Sequence, residues 1–108
     1  MSDARRCVVI LCTVPSADVG DALAKKLVEA RHAACVNRLG PIRSTYRWEE
    51  TIHVDEEHQL LIKTTREAVD RVRAMVAAEH PYDVPELIAL EADVLTEPYA
   101  SWLRAQVG

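Results

Sequence analysis

Hydrophobic and polar positions change period several times along the 108 residues, and each change marks an element. Cys7 to Val14 is an unbroken apolar run rich in β-branched residues, the pattern of a central strand buried on both faces. Ser16 can cap a following helix, and Asp18 suits its positive first turn. Val19, Leu23, Leu27 and Ala30 then recur at three- and four-residue spacing, which predicts a helix over residues 16–31. From Ala33 onward the period falls to two, with Ile42, Ser44, Tyr46 and Trp48 on one face and Arg43, Thr45, Arg47 and Glu49 on the other. A polar turn at Glu49-Glu50-Thr51 ends this second strand. Alternation resumes through Ile52 and Val54 and closes in Leu60-Leu61-Ile62, a third strand. Thr64-Thr65-Arg66-Glu67 has the capping-box pattern and predicts a second helix, with Val69, Val72 and Val76 on one face, stopping at His80 before Pro81. Leu87 to Leu95 reads as a fourth strand, and Thr96, with Pro98 in the first turn, opens a closing helix that carries Tyr99, Trp102 and Leu103.

The order is β-α-β-β-α-β-α. Two βαβ halves with right-handed crossovers predict an α+β fold and a single domain over residues 1–108: an antiparallel four-stranded sheet with helices on one face, the ferredoxin-like arrangement. Its central hairpin is too long for it. A second strand of about 15 residues at about 3.3 Å each reaches roughly 50 Å, whereas a domain of this length is about 30 Å across. The tip overhangs unless the strands bend, and Gly40-Pro41 offers a bend or bulge. The alternative is two short strands joined by a loop at Asn37 to Ile42, all within one monomer. Aromatic placement favours the overhang. There is no Phe, and the five aromatics are Tyr46 and Trp48 on the hairpin, Tyr82 after the second helix, and Tyr99 and Trp102 on the last, an interface-like use. The expected partner is another copy of this chain.

Composition narrows the function classes. An apolar share of 49% and a charged share of 28% are ordinary globular values, so no membrane role is expected. A formal charge of -4, with Lys and Arg scattered, argues against nucleic acid. Arg5-Arg6 before an apolar run superficially resembles a secretory signal, but the run is short and its removal would delete the central strand, so a cytoplasmic protein is expected. Cys7, Cys12 and Cys35 have no C-x-x-C spacing and cannot all pair, so reduced thiols are expected.

Candidate chemistry is thin. Cys12 lies near the carboxyl end of the central strand, although most free cysteines are simply small buried hydrophobes. Cys7 points to the opposite face, and Cys35 would approach Cys12 if their strands were neighbours. His80-Pro81-Tyr82-Asp83-Val84-Pro85-Glu86 is a stiff polar loop holding an imidazole, a phenol and two carboxylates. Glu79 and His80 with a Cys12 thiolate would supply a mixed S, N, O set able to hold copper or zinc, three ligands at most. His53 and His58 face opposite sides of the third strand. Asp55-Glu56-Glu57 reads as a solvated edge, and His32 as a cation at a helix terminus. With no Gly-rich phosphate loop, G-x-S-x-G elbow or H-E-x-x-H pair, an enzyme is not expected. A Cys12 thiolate paired with a His80 base would require a proximity that the sequence does not establish.

Five segments in order, Val9-Ile10-Leu11-Cys12-Thr13, Tyr46-Arg47-Trp48-Glu49, Leu61-Ile62-Lys63-Thr64-Thr65, His80 to Glu86 and Tyr99-Ala100-Ser101-Trp102-Leu103, resemble the CutA divalent-cation-tolerance family from about residue 7 to 104. The resemblance implies a ferredoxin-like fold and a homotrimer whose long hairpins pair between subunits, with Tyr46, Trp48 and Trp102 at the interface. It also implies a role in tolerance of copper and other divalent metals, in an architecture similar to PII signalling trimers. The family's metal-site cysteine falls on Cys12 and its two histidines before Pro-Tyr fall on Glu79 and His80. One of the two is therefore a carboxylate here, which prefers harder cations. The PII likeness implies an alternative, a regulatory module binding a small ligand between subunits, with Cys35, Lys63, His80, Tyr82 and Glu86 as cleft candidates. Glu50 stands where the family usually has glycine, so this turn must avoid positive φ or bear strain.

Overall fold

The computed structural model describes residues 3–108. The strands are β1 (Arg6–Val14), β2 (Cys35–Trp48), β3 (Thr51–Thr64) and β4 (Ile88–Asp93), and the helices α1 (Ala17–Glu29), α2 (Val69–Glu79) and α3 (Glu97–Gln106). The strands form one sheet in the order β2-β3-β1-β4, with every neighbouring pair antiparallel. This is the predicted ferredoxin-like α+β arrangement. Among the described residues no helix is long and apolar enough to cross a membrane.

The core lies on one face of the sheet. Val8, Ile10, Cys12 and Val14 alternate along β1 and pack with Leu60 and Ile62 of β3 against Leu23 and Leu27 of α1 and Val72 and Val76 of α2. Ser16 Oγ accepts the Val19 N–H at 3.2 Å and caps α1 as expected. Gly20 lets α1 approach the sheet closely, since a Cβ there would lie 2.9 Å from Val14 Cγ2. The other face differs from the sequence reading in two ways. Only α3 lies there, packing Leu103 against Cys7 and Ala34 at one end, so the helices are not all on one side. In addition, β1 is fully buried along one face only, since on the other Cys7 is buried but Val9, Leu11 and Thr13 are partly exposed. An amphipathic pattern shows which side of a helix is apolar and not which side of the sheet it joins.

The hairpin is continuous, which removes the two-strands-and-a-loop alternative. Pairing runs from Cys35 opposite Lys63 to Trp48 opposite Thr51, with one shift between Leu39 and Ile42. There β2 advances three residues while β3 advances two, a bulge at Gly40-Pro41 whose glycine takes φ 148° and whose peptide bond is cis. The molecule measures 45 × 26 × 22 Å with a radius of gyration of 14.6 Å, above the roughly 13 Å of a compact chain of this size, as an overhanging ribbon requires.

Element ends depart from expectation for local reasons. β3 continues to Thr64, whose hydroxyl donates to the His32 carbonyl at 2.5 Å, so the capping box does not form. A 3₁₀ turn at Arg66–Ala68 leads into α2 instead, with no side-chain cap from Thr65. The helix stops at His80, extended at ψ 136° as a residue before proline prefers. β4 is shorter than the Leu87 to Leu95 run, and Thr96 begins α3 without a side-chain cap bond.

Glu49 and Glu50 form the two-residue hairpin turn with φ 49° and 65°, so the turn accepts the left-handed region with two non-glycine residues. A left-handed L-residue costs about 1–2 kcal/mol, and extra glycine freedom in the unfolded chain gives back about 0.5–1 kcal/mol of the relief. Glu50→Gly is therefore expected to stabilise the protein by about 0.5 kcal/mol, read as a higher urea midpoint with an unchanged m-value. A lower midpoint would show that the Glu50 side chain contributes more than its backbone strain removes.

Candidate functional site

Beyond the bulge, even-numbered residues of β2 join the face that carries the odd-numbered residues of β1 and β3. Ile42 pairs with Glu57, Ser44 with Asp55, Tyr46 with His53 and Trp48 with Thr51. The loop from Tyr82 to Glu86 stands over this surface. A cleft of about 670 Å³ opens between the two, lined by Thr13, Ser44, Tyr46, Trp48, Asp55, Glu57 and Tyr82 to Glu86. That volume lies within the ordinary range for small-molecule sites.

The loop is pinned at its root by His80. Its Nδ1 accepts the Tyr82 N–H at 3.1 Å, which leaves Nε2 as the protonated nitrogen, donating to the Thr13 carbonyl at 2.7 Å. The ring is therefore a neutral tautomer with both nitrogens occupied, and it is buried. Tyr82 then reaches across the cleft, its hydroxyl donating to Glu57 Oε2 at 2.8 Å. Burial, reinforced by this hydrogen bond to a carboxylate, pushes the Tyr82 phenol well above its ordinary range, so it remains a donor. Gln59 Nε2 donates to Glu86 Oε1 at 3.2 Å and to the Cys12 carbonyl at 3.1 Å, fixing the far end of the loop. At the mouth, the Tyr46 hydroxyl donates to Asp55 while its ring stacks on His53 at 5.4 Å. That hydrogen bond, the largest cause, raises the Tyr46 phenol.

The proposed metal set is not assembled. Cys12 and His80 do approach the same carbonyl, Cys12 Sγ lying 3.8 Å and His80 Nε2 2.7 Å from Thr13 O. Glu79 is instead committed to Lys26 through an ion pair of 2.8 Å. Cys12 is fully buried, and desolvation, with Glu86 adding to it, pushes its thiol up to about 12. With a protonated thiol, an imidazole without a free nitrogen and a carboxylate held elsewhere, these residues do not fit a metal ion as the chain is folded. Among the described residues no group of three or more His, Cys, Asp or Glu is placed to hold one. The same protonated thiol and occupied ring leave no nucleophile and base pair.

The ligand-cleft candidates separate into two places. Tyr82 and Glu86 line the cleft with His80 behind them, whereas Lys63 pairs with Val9 and Cys35 farther along the sheet. Cys35 does not approach Cys12, because β3 lies between their strands and the two side chains project from opposite faces. Trp102 packs beside Tyr99 on α3, ring centroids 5.5 Å apart and planes tilted by 38°. Sequence reasoning treated Asp55 and Glu57 as solvated edge charge. Their shared alternation with Ser44 and Tyr46 was visible, but the loop that encloses them is 25 residues away in the chain.

The family description "CutA1 divalent ion tolerance protein" matches residues 8–106. A divalent-cation tolerance protein CutA of Thermus thermophilus is 45% identical over 100 residues, covering 93% of this chain and 97% of that one. A chloroplastic protein CutA of Arabidopsis thaliana is 39% identical over 97 residues, which are 90% of this chain and 53% of the relative. The crystal structure of CutA1 from Oryza sativa superposes with a TM-score of 0.94 at 36% identity, over 99% of this chain and 98% of that one.

The thiols give a direct check on the geometry. Burial raises both Cys7 and Cys12, while Cys35 is only partly buried. Iodoacetamide at neutral pH is expected to label Cys35 first and Cys12 last, read by peptide mass. Because the folded Cys12 keeps its proton to about 12 and an unfolded thiol loses it near 9.0, stability falls as pH rises between those values. Cys12→Ala should flatten that slope in urea titrations, and an unchanged slope would contradict the burial assigned to this thiol.

Proposed function

This chain belongs to the CutA1 divalent ion tolerance family, and we propose that it acts in divalent-cation tolerance as a cytosolic homotrimer. The open face of the sheet carries this reading. On that face Ile88 and Leu90 of β4 are each 49% exposed and Trp48 is 50% exposed, with Val9 and Leu11 partly buried beside them, and Trp102 of α3 is 43% exposed. So much contiguous apolar surface in water is unfavourable, and it is matched by two unpaired sheet edges, β2 and β4. A head-to-tail contact that lays the hairpin of one copy, with Tyr46 and Trp48, on the open face of the next covers both features and closes into a ring. Three is the number of copies implied by the family resemblance. Free Cys7, Cys12 and Cys35 suit the reducing cytosol.

Static light scattering should give three times the 12.1 kDa chain mass at micromolar concentration. Leu90→Arg, which changes a half-exposed residue on the open face, should lower that mass while leaving the far-UV circular dichroism intact. A monomeric wild-type chain would overturn the reading.

Direct metal binding is a finer part of this proposal. Within it, Cys12 and His80 are the contact, supported by their approach to one carbonyl, and copper is the metal that suits sulfur and imidazole donors. Binding there requires His80 to release the Thr13 carbonyl and Cys12 to lose its proton, so affinity should rise with pH. Calorimetric copper titration should show uptake by the wild type that is lost in Cys12→Ala and His80→Ala. Glu79→Ala, which removes the partner of Lys26, should bind as the wild type does. Equal binding by all four proteins would remove these residues from the site.

A further inference from the structure

A second recess, of about 310 Å³, opens at the end of the sheet away from the hairpin tip, where β1 begins and β3 passes into the turn before α2. Three arginines line it, Arg6 of β1, Arg66 of the turn and Arg104 of α3, against two carboxylates, Glu67 and Glu91. Arg6 and Arg66 flank Glu91, Arg6 Nη1 donating to one oxygen at 3.3 Å and Arg66 Nη2 to the other at 2.7 Å. The hydrogen bond and charge of Arg66, with Arg6 adding to them, hold the Glu91 carboxyl below the ordinary carboxylate range. A guanidinium has five N–H donors, so most donors of this pair remain unused.

Arg104 is the anomaly. Its Nη1 is buried without a hydrogen-bond partner, alone among the buried side-chain nitrogens and oxygens of the described residues. Its ion pair with Glu97 is the loosest among them at 3.7 Å, and Arg5 shares that carboxylate. A buried donor without an acceptor is costly, so this fold carries an arginine that its own residues do not satisfy. Glu97 restrains the guanidinium only weakly, and rotation about its side-chain torsions would turn Nη1 into the recess that the arginine already lines. The missing acceptor is an anion. A carboxylate offers two oxygens in one plane, which suits a single guanidinium. A phosphate group offers three terminal oxygens and a charge of about −1.5 to −2, so it can meet guanidiniums arriving from three elements and outweigh repulsion from Glu67 and Glu91. Thr65, whose hydroxyl caps no helix, adds a neutral donor at the same recess.

We infer that this recess binds a phosphate group, free or carried by a small organic molecule, with Arg104 turning its buried nitrogen onto the phosphoryl oxygens, Arg6 and Arg66 meeting them from β1 and the turn, and the Thr65 hydroxyl donating to one. The volume leaves room for a few carbon atoms beyond the phosphate. The site uses none of the residues assigned to the trimer contact or to copper.

Inorganic phosphate and glycerol 3-phosphate are the probes, with succinate as the carboxylate control. Calorimetry at about 0.15 M sodium chloride is expected to show saturable binding of one phosphate group per chain. Equal binding of the two probes marks the free ion as the ligand, tighter binding of the ester marks an organic carrier, and both support the inference. Arg104→Met and Arg66→Ala, the second at a side chain 55% exposed, should each weaken binding about ten-fold. Arg73→Ala, which changes an exposed arginine paired with Asp70 on α2, should bind as the wild type does. Without phosphate, Arg104→Met should be at least as stable in urea as the wild type, because it removes the unpartnered donor, and phosphate should raise the midpoint of the wild type alone. A large loss of stability in this variant would show that the fold already satisfies Nη1 and would overturn the inference. So would no saturable phosphate binding up to about 10 mM, succinate binding as tightly as phosphate, or unchanged binding in Arg66→Ala and Arg104→Met. Arg73→Ala losing as much as Arg66→Ala would reduce the effect to general charge attraction and overturn it too. A silent wild-type oligomer beside a dispersed Leu90→Arg chain that binds would also overturn it, because a second copy then supplies the acceptor.

Discussion

One extra residue at Gly40-Pro41 organises the functional half of this molecule. Side chains of a strand alternate between faces, so a single unpaired residue moves everything beyond it to the opposite face. Before the bulge, Cys35 and Asn37 share the open face with Lys63 and Leu61, and beyond it the even-numbered Ile42, Ser44, Tyr46 and Trp48 occupy that face. Without the shift Tyr46 and Trp48 would point away from the loop, and Arg43, Thr45 and Arg47 would stand opposite Tyr82. The cleft would then be basic at its mouth. Only glycine suits the place, because its φ of 148° is left-handed and a Cβ would lie 2.6 Å from His58 Nδ1.

The same parity divides the sheet between two kinds of chemistry. The face carrying Val8, Ile10, Cys12 and Val14 is covered by α1 and α2, and these four residues are buried, including the thiol. The face carrying Val9, Leu11 and Thr13 is covered at one end by α3 and at the other by the Tyr82 loop, with apolar surface exposed between them. His80 links the two, since it lies behind the loop yet donates to Thr13 of β1. Its two hydrogen bonds hold the loop at a fixed height over the hairpin, so that Tyr82 meets Glu57. A histidine placed beside a cysteine in space is here a structural tether first, and metal binding has to compete with that tether.

Much of the fold was legible in the sequence because period and topology rules act locally. The long hairpin, the bulge at Gly40-Pro41, the Ser16 cap and the stop before Pro81 each follow from residues within a few positions. The side chosen by α3 was not legible, because Leu103 shows an apolar stripe whichever face receives it. The capping box failed for a tertiary reason, since the Thr64 hydroxyl is drawn inward to the His32 carbonyl across 32 residues. For the site, the His80 to Glu86 segment stood out as a stiff polar loop, but its partners did not. Glu57 sits in an acidic run that is indistinguishable from solvated edge charge until Tyr82 closes over it. Likewise, Glu79 beside His80 looked like a ligand pair, whereas adjacent positions at a helix end point in different directions and Lys26 of α1 takes the carboxylate.

Burial of Glu57 sets the floor of the cleft apart from its rim. Desolvating a carboxylate is costly, and the Tyr82 hydroxyl, which donates to Glu57, offsets part of that cost. The rim and the floor of the surface differ accordingly. Tyr46, Trp48, Ile88 and Leu90 are apolar and exposed, suited to another copy, while Glu57 and Glu86 are set back and held by Tyr82 and Gln59 in fixed positions.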